Sequence, residues 1–162
     1  MQLLISDANI LIDMEEGGLL ASMFSLDCEF LIPDILFYEE LEELHPHLVG
    51  MGLKIQPLSS ELVARGANLA AQYTKPGRND LFALALAEHS NCPLLTGDAN
   101  LRMAAKSENI EVHGTIWLME QMVCSGLSIA IARTAYEQMK ARGRRLPWDV
   151  AEAGLRKLEQ NK

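Results

Sequence analysis

Four acidic side chains stand where an open parallel sheet gathers its ligands, close to the carboxyl ends of strands. Asp7 and Asp98 each come at the end of an apolar run of strand length. Asp80 lies at the start of the helical segment before the second of these runs, and Glu40 lies inside the helical segment that follows another run. We therefore expect these four carboxylates to gather at one edge of the sheet.

A hard divalent cation is the usual counter-charge for such a group of carboxylates. Mg²⁺ and Mn²⁺ take oxygen ligands, often one or two carboxylates completed by water and phosphate oxygens. A structural interpretation stands beside this one, because Asp at a strand-to-helix junction commonly caps the helix, which would account for Asp98 and for Asp80. Glu39 and Glu40 can equally form a solvated helix face. Composition and periodicity leave both interpretations open.

Strand-length apolar runs alternate with segments of helical period, which predicts an α/β fold with a mainly parallel sheet between two helical layers. The predicted strands are Met1 to Ser6, Glu29 to Pro33, Lys54 to Leu58, Pro93 to Thr96 and Ile110 to His113. The predicted helices are Leu19 to Ser25, Asp34 to Leu44, a segment capped near Ser59 and running to Tyr73, Asn79 to Ala87 with Asn79 as cap, Asp98 to Lys106, Thr115 to Cys124, Ser128 to Arg142 and Pro147 to Gln160.

The strand pattern stops near Gly126, which divides the chain into two predicted parts. Residues 1–126 would form the α/β domain, and residues 127–162 would form a C-terminal helical extension packed on it. The net charge of −8 over 162 residues argues against a general nucleic-acid coat protein, whose affinity comes from basic residues. It does not exclude an enzyme whose acids hold metal ions.

Compartment is predicted from three features of the sequence. The three cysteines are scattered and form neither a disulfide framework nor a zinc knuckle, which favours a reducing cytoplasm. No uncharged apolar stretch approaches the roughly 20 residues that cross a bilayer. Met1 leads directly into a strand-like run, so no secretory signal and no membrane association are expected.

Four short motifs, in order along the chain, resemble those of the PIN-domain ribonucleases. They are Ser6-Asp7-Ala8-Asn9, Ile32-Pro33 followed by Glu40-Leu41, Asn79-Asp80-Leu81-Phe82, and Leu95-Thr96-Gly97-Asp98. Their order and intervals fit from Met1 to about Gly126. The stretch from Leu101 to Trp117 resembles the toxin-like branch of the family, which includes toxins of toxin–antitoxin pairs.

The resemblance implies a sheet ordered 3-2-1-4-5 and an Mg²⁺- or Mn²⁺-dependent endoribonuclease. By position it assigns the acidic site to Asp7, Glu40, Asp80 and Asp98, with Glu39 as the substitute for Glu40 if the alignment shifts by one residue. It makes Asn9 and Thr96 polar support for these carboxylates. Asn100, a neutral oxygen ligand, stands close to where many family members carry a further acid. The implied partners are an RNA substrate, a small antitoxin and a second copy of the chain.

Basic and aromatic residues outside the motifs have two interpretations each. Lys75 and Arg78 can steer a phosphate toward Asp80 or simply occupy an exposed loop. The basic stretch Lys140 to Arg145 can contact RNA or an acidic partner, or form a charged turn between helices. Trp117 and Trp148 are interpreted as anchors of the C-terminal helices in preference to stacking platforms for bases.

The four histidines are interpreted as structural or solvent-facing. His45 and His47, separated by a proline, have no companion ligand at metal spacing in the sequence, and the other two histidines are isolated.

Two other functions compete with the nuclease. A non-catalytic PIN-like module that binds RNA or protein is compatible with Asn100 in place of an acid. A haloacid-dehalogenase-like phosphatase also places Asp after its first strand, but it requires a second Asp two residues later, where this chain has Asn9. We predict the nuclease, acting as a toxin neutralised by a small antitoxin.

Overall fold

The computed structural model describes residues 1–161, which form one five-stranded sheet covered by helices. The strands are β1 Gln2–Ser6, β2 Cys28–Pro33, β3 Lys54–Gln56, β4 Leu94–Leu95 and β5 Val112–His113. All neighbouring strands are parallel, and their order is β3-β2-β1-β4-β5. The predicted α/β class and the predicted strand order 3-2-1-4-5 are therefore confirmed.

Ten helices connect and flank the strands in the described part of the chain. They are α1 Ala8–Glu16, α2 Leu20–Phe24, α3 Asp34–Glu40, α4 His47–Met51, α5 Ser60–Gln72, α6 Arg78–Ser90, α7 Ala99–Ser107, α8 Thr115–Cys124, α9 Ile129–Ala141 and α10 Trp148–Gln160. Helix α6 packs on β1, β2 and β4 with α5 behind it, whereas α1 packs against α8 and α9.

The central strand β1 determines where the chain emerges at the carboxyl edge. It is buried between β2 and β4, with Leu4 and Ile5 fully inaccessible to solvent. Its register with β4 pairs Ser6 with Leu95, so the next residue of each strand, Asp7 and Thr96, leaves the sheet at the same level. This pairing places two of the predicted motifs side by side although 89 residues separate their polar groups.

Helix α6 is buried on nearly every face, because every residue from Leu81 to Ala87 is inaccessible or nearly so. A helix that is apolar all round must lie inside the protein. Its contact with α5 depends on Gly66, where an added Cβ would lie 2.4 Å from the ring of Phe82. The absence of a side chain at Gly66 therefore allows α5 to approach α6 closely.

Several predicted boundaries were wrong. Helix α1 was not predicted, because its run Ile10-Leu11-Ile12 follows the strand after only one polar turn, and the short α4 was also missed. Helix α3 ends at Glu40 instead of Leu44, and β3, β4 and β5 are shorter than predicted. The cap of α6 is Gly77, not Asn79, so Asn79 lies in the first turn of the helix.

The C-terminal helices extend the same hydrophobic core. Met139 of α9 is fully buried, and its side chain lies against Gly17 at the end of α1. Tyr136 of α9 meets Trp148 of α10 edge to face, with ring centroids 6.2 Å apart. This contact agrees with the predicted anchoring role of Trp148. In the described residues, no helix combines the length and apolar character needed to cross a membrane.

Candidate active site

Asp7 is the most deeply buried of the predicted acids and caps helix α1. Its Oδ1 accepts a hydrogen bond from the Ile10 amide at 3.0 Å, and its Oδ2 accepts one from the Thr96 hydroxyl at 2.5 Å. The residue is 1% exposed. Burial raises the pKa of the Asp7 carboxyl to about 7 despite these two hydrogen bonds, and the negative charge of Asp80 adds to the rise.

Thr96 connects Asp7 to Asp98. While its hydroxyl donates to Asp7, the same oxygen accepts a hydrogen bond from the Asp98 amide at 3.0 Å. Asp98 caps helix α7, and its Oδ1 accepts from the Leu101 amide at 2.8 Å. The alternative role of Asp98 as a helix cap is therefore correct, and it leaves the second carboxylate oxygen of Asp98 for other contacts.

Asp80 lies between the other acids. Burial, followed by the negative charges of Glu40 and Asp98, raises the pKa of its carboxyl to about 6. Because Asp80 also acts on Asp7, the four predicted acids form one electrostatically coupled group at the carboxyl edge of the sheet. Asp80 does not cap α6, so the structural alternative fails for this residue.

The two neighbouring glutamates of α3 point to different partners. Glu40 Oε2 accepts a hydrogen bond from the Asn79 side chain at 3.0 Å. Glu39 instead accepts two hydrogen bonds from the Arg78 guanidinium, both at 2.9 Å. Glu40 is therefore the glutamate that faces Asp80. Glu39 instead forms an ion pair with Arg78, the residue that was predicted to steer phosphate.

Three of the remaining predicted residues are exposed to solvent. Asn9 and Asn100 are exposed at the starts of α1 and α7, and Lys75 lies exposed in the loop before α6. The side-chain oxygen of Asn79 is buried and lacks a hydrogen-bond partner among the described residues. Asn79 also lines a small cavity of about 180 Å³ together with Glu40 and Asp80.

A larger cavity of about 720 Å³ opens beside Asp98 and Asn9. Three of its lining residues are cationic, namely Arg102, Arg144 and Arg145. Arg102 donates a hydrogen bond to the backbone oxygen of Thr96 at 3.1 Å, so its guanidinium lies beside the segment that leads from β4 to Asp98. We refer to this cavity as the arginine groove.

Arg144 reaches the groove from the turn between α9 and α10 and is held there by a buried carboxylate. Its Nε donates to Asp13 at 2.6 Å, and its Nη2 donates to Asn9 at 3.1 Å. Asp13 is 6% exposed and also accepts from the Thr115 hydroxyl at 2.7 Å. Sequence reasoning missed Asp13, whose only signal is a carboxylate on the apolar face of α1.

Two aromatic rings also line the groove. His113 at the end of β5 and Trp117 in α8 stack at 4.1 Å between ring centroids, with their planes 11° apart. Both rings line the groove and are partly exposed to solvent. Trp117 also packs against the hydrophobic core, as predicted for an anchor, and its remaining exposed surface lines the groove.

The acids are coupled, but they do not form a tight ligand cage. Among residues 1–161, no three of the four predicted acids bring carboxylate oxygens within 4.8 Å of one another. The group that does meet this distance is Glu15, His45 and His47, at the other end of α1. The carboxyl edge therefore suits an ion that is held by one or two carboxylates and completed by water.

Comparison with known proteins extends these observations. The sequence model of the PIN domain matches residues 3–160. No protein of curated function matches the sequence. Similar solved structures include VapBC2 from Rickettsia felis bound to a DNA fragment from its promoter, with a TM-score of 0.49, 16% identity, and coverage of 70% of this chain and 98% of that chain.

A PilT N-terminus domain protein from the hyperthermophilic archaeon Sulfolobus solfataricus gives a TM-score of 0.49 at 13% identity. It covers 79% of this chain and 96% of the other. The family match spans nearly the whole chain and agrees with the strand order and with the motifs at the carboxyl edge. The chain belongs to the PIN domain family.

Proposed function

We propose that the protein is a metal-dependent endoribonuclease that hydrolyses RNA phosphodiester bonds at the group formed by Asp7, Glu40, Asp80 and Asp98. The observation that carries this proposal is the coupling of these acids at the carboxyl edge of the sheet, where burial and mutual repulsion raise the pKa of both Asp7 and Asp80. Raised carboxyl pKa values are typical of sites where a bound cation or a proton offsets the negative charge. PIN domains are in general nucleases, which supports the same assignment.

The donor set fits Mg²⁺ or Mn²⁺. Carboxylate and amide oxygens are the ligands that these hard cations prefer, and the orphaned buried oxygen of Asn79 lies in the same small cavity as Glu40 and Asp80. We assign the ion to this acidic edge, where one or two of the carboxylates of Asp7, Glu40, Asp80 and Asp98 would hold it and water would complete its coordination. When bound, a divalent cation supplies an activated water and neutralises charge on the phosphate.

The chain itself contributes orientation. Thr96 and the start of α1 hold both oxygens of Asp7, so this carboxylate cannot turn away from the edge. The Asn79 amide directs one oxygen of Glu40. The start of α7 occupies one oxygen of Asp98. Asp7, Glu40 and Asp98 are thereby oriented before substrate arrives, which lowers the reorganisation that catalysis requires.

The arginine groove supports RNA as the substrate. Arg102 and Arg145 provide positive charge beside Asp98 in a chain of net charge −8, so phosphate attraction is concentrated there. The His113–Trp117 stack offers a flat surface for an unpaired base. Stacking on an aromatic side chain contributes about 1–3 kcal/mol per base. A single-stranded segment would therefore lie in the groove and lead its backbone to the acids.

The decisive experiment measures cleavage of a labelled single-stranded RNA with Mn²⁺ or Mg²⁺, before and after chelation. Asp98→Asn should reduce cleavage at least about 100-fold while the circular dichroism spectrum stays unchanged, because Asn caps a helix as well as Asp does. Asp149→Asn, at an exposed site in the first turn of α10, is the matched control and should retain full activity. Wild-type binding of RNA without cleavage would instead support the non-catalytic module.

The role of the groove has a separate test. Trp117→Ala should raise KM for single-stranded RNA with little change in kcat, whereas Trp117→Phe, which retains an aromatic face, should remain close to wild type. Equal KM values for the three proteins would refute the stacking surface without affecting the assignment of the acids.

Biological context belongs to the proposal as well. We propose a cytoplasmic toxin that a small antitoxin neutralises, and a homodimer as its assembly. Co-expression with the product of an adjacent short reading frame tests the first, and sedimentation tests the second. The division into a domain of residues 1–126 and an extension of residues 127–162 stays a prediction, which limited proteolysis can test.

A further inference from the structure

Three side chains that are distant in sequence meet at the end of α1 away from Asp7. Glu15 comes from the last turn of α1, His45 from the turn before α4, and His47 is the first residue of α4. The Nδ1 of His45 contacts one carboxylate oxygen of Glu15, and the Nε2 of His47 contacts the other. One ligand atom from each residue lies within 4.8 Å of the other two.

The backbone holds the two histidines in this arrangement. Pro46, with its ring-restricted φ of −66°, separates them and is the cap residue immediately before α4. The His45 amide donates to the Leu41 carbonyl, and the Leu48 amide donates to the His45 carbonyl at 3.3 Å. The two imidazole rings thus lie 6.2 Å apart and are tilted by 58°, so they approach the carboxylate from different directions.

The burial of the cluster is intermediate, as an accessible ligand site requires. The side chains of His45, Glu15 and His47 are 15%, 25% and 46% exposed. Two ligands are therefore mostly shielded, and the third borders solvent. An ion there could be completed by water on the His47 side.

We propose that Glu15, His45 and His47 form a binding site for Zn²⁺ or a similar borderline transition-metal ion. Two imidazoles with one carboxylate are a ligand set that zinc accepts, completed by water as the fourth ligand. Mg²⁺ and Mn²⁺ prefer oxygen ligands, so the site differs in chemistry from the acidic edge. Glu15 lies eight residues beyond Asp7 on the same α-helical path, about 12 Å away along the axis at 1.5 Å per residue. Metal binding at this site does not require that the acidic edge cleave RNA.

The position of the site gives it a structural consequence. Helix α1 begins directly after Asp7, and the turn that carries His45 begins directly after Glu40 at the end of α3. An ion at this site would join the far end of α1 to the chain that leaves α3. It would therefore restrain the two elements that carry Asp7 and Glu40 relative to each other.

The alternative is that the three side chains are joined by hydrogen bonds alone, with no metal ion between them. Each imidazole can donate one N–H to Glu15, and the cluster would then be a hydrogen-bonded clasp without an ion. The two descriptions predict different responses to added metal. Only the metal site gives saturable binding with a defined ligand set.

The experiment uses the full chain stripped of metal with a chelator, then titrated with Zn²⁺ by calorimetry and with Co²⁺ by visible absorption, both in excess Mg²⁺. We expect one Zn²⁺ to bind per chain and to raise the Tm. Bound Co²⁺ should show visible absorption bands typical of a four-coordinate ion. Loss of a hydrogen bond that supports a ligand weakens metal binding about 10–100-fold. Loss of the ligand itself in His47→Ala should therefore weaken Zn²⁺ binding at least tenfold.

Two further variants separate the outcomes. Glu15→Gln keeps the shape of the side chain and should also weaken binding, which guards against misfolding of a single variant. His89→Ala, an exposed histidine on α6, is the matched control and should bind Zn²⁺ as wild type does. Absence of saturable binding, unchanged binding in both His47→Ala and Glu15→Gln, or loss of binding after cysteine alkylation alone would overturn the proposal.

Discussion

Replacement of Asp7 by asparagine should abolish the proposed nuclease activity and at the same time stabilise the fold at pH 8. Asp7 is 1% exposed, and burial raises its pKa from 3.8 to about 7. At about 1.4 kcal/mol per pKa unit, the buried carboxylate costs the folded state at most about 4 kcal/mol above pH 7. Asparagine removes this cost but loses the hydrogen bond from Thr96, worth about 1 kcal/mol. The expected net gain at pH 8 is about 2–3 kcal/mol.

The sign of the pH dependence follows from proton binding. Below about pH 4 the carboxyl is protonated in both the folded and the unfolded chain, so it carries no cost. Between pH 4 and pH 7 the unfolded chain ionises while the folded protein retains the proton, and the cost grows. Above pH 7 both states are ionised and the cost is constant. The stability difference between the variant and wild type should therefore increase by about 2–3 kcal/mol from pH 5 to pH 8.

Urea unfolding in the presence of EDTA measures this difference, because the chelator removes any cation that would stabilise the wild-type carboxylate. Asp27→Asn is the matched control. Asp27 is exposed just before β2, at the amino ends of the strands, and its replacement should change stability by less than about 0.5 kcal/mol at either pH. If Asp7→Asn changed stability by the same amount at pH 5 and pH 8, the Asp7 pKa would not be raised in the folded protein, and burial would not be the main influence on this carboxyl.

Two packing features give further predictions, both measured by urea unfolding. Gly66→Ala should destabilise the protein by about 1–3 kcal/mol, because the new Cβ would lie 2.4 Å from the Phe82 ring; an unchanged midpoint would show that α5 can move away without cost. Arg144→Met should cost about 2–3 kcal/mol, because it leaves the Asp13 side chain, 8% exposed, with only part of its hydrogen bonding. The double variant Asp13→Asn with Arg144→Met should recover part of that loss, and strictly additive losses would contradict the pairing.

Local signals predicted the fold class and the places of the acids along the chain, whereas the strand order and the four-acid site came from the resemblance to PIN-domain ribonucleases. Apolar runs such as Leu3-Leu4-Ile5 mark buried strands, and the residue that follows such a run must emerge at a strand end. The cap at Asp98 was equally readable from its place between a strand and a helical segment. The start of α6 could not be predicted in this way, because the capping position depends on the backbone angles. Gly77, not Asn79, has the extended backbone conformation of the cap.

The partners of the polar side chains were decided only by the tertiary structure. Arg144 and Asp13 are 131 residues apart, and Glu15 is 30 residues from His45. No periodicity connects such residues, because their contact depends on how helices pack. The raised pKa of Asp7 has the same origin, since burial is a property of the assembled layers and not of the motif. Residue type and spacing therefore located the acids, and packing determined their charge, their orientation and the second cluster at the far end of α1.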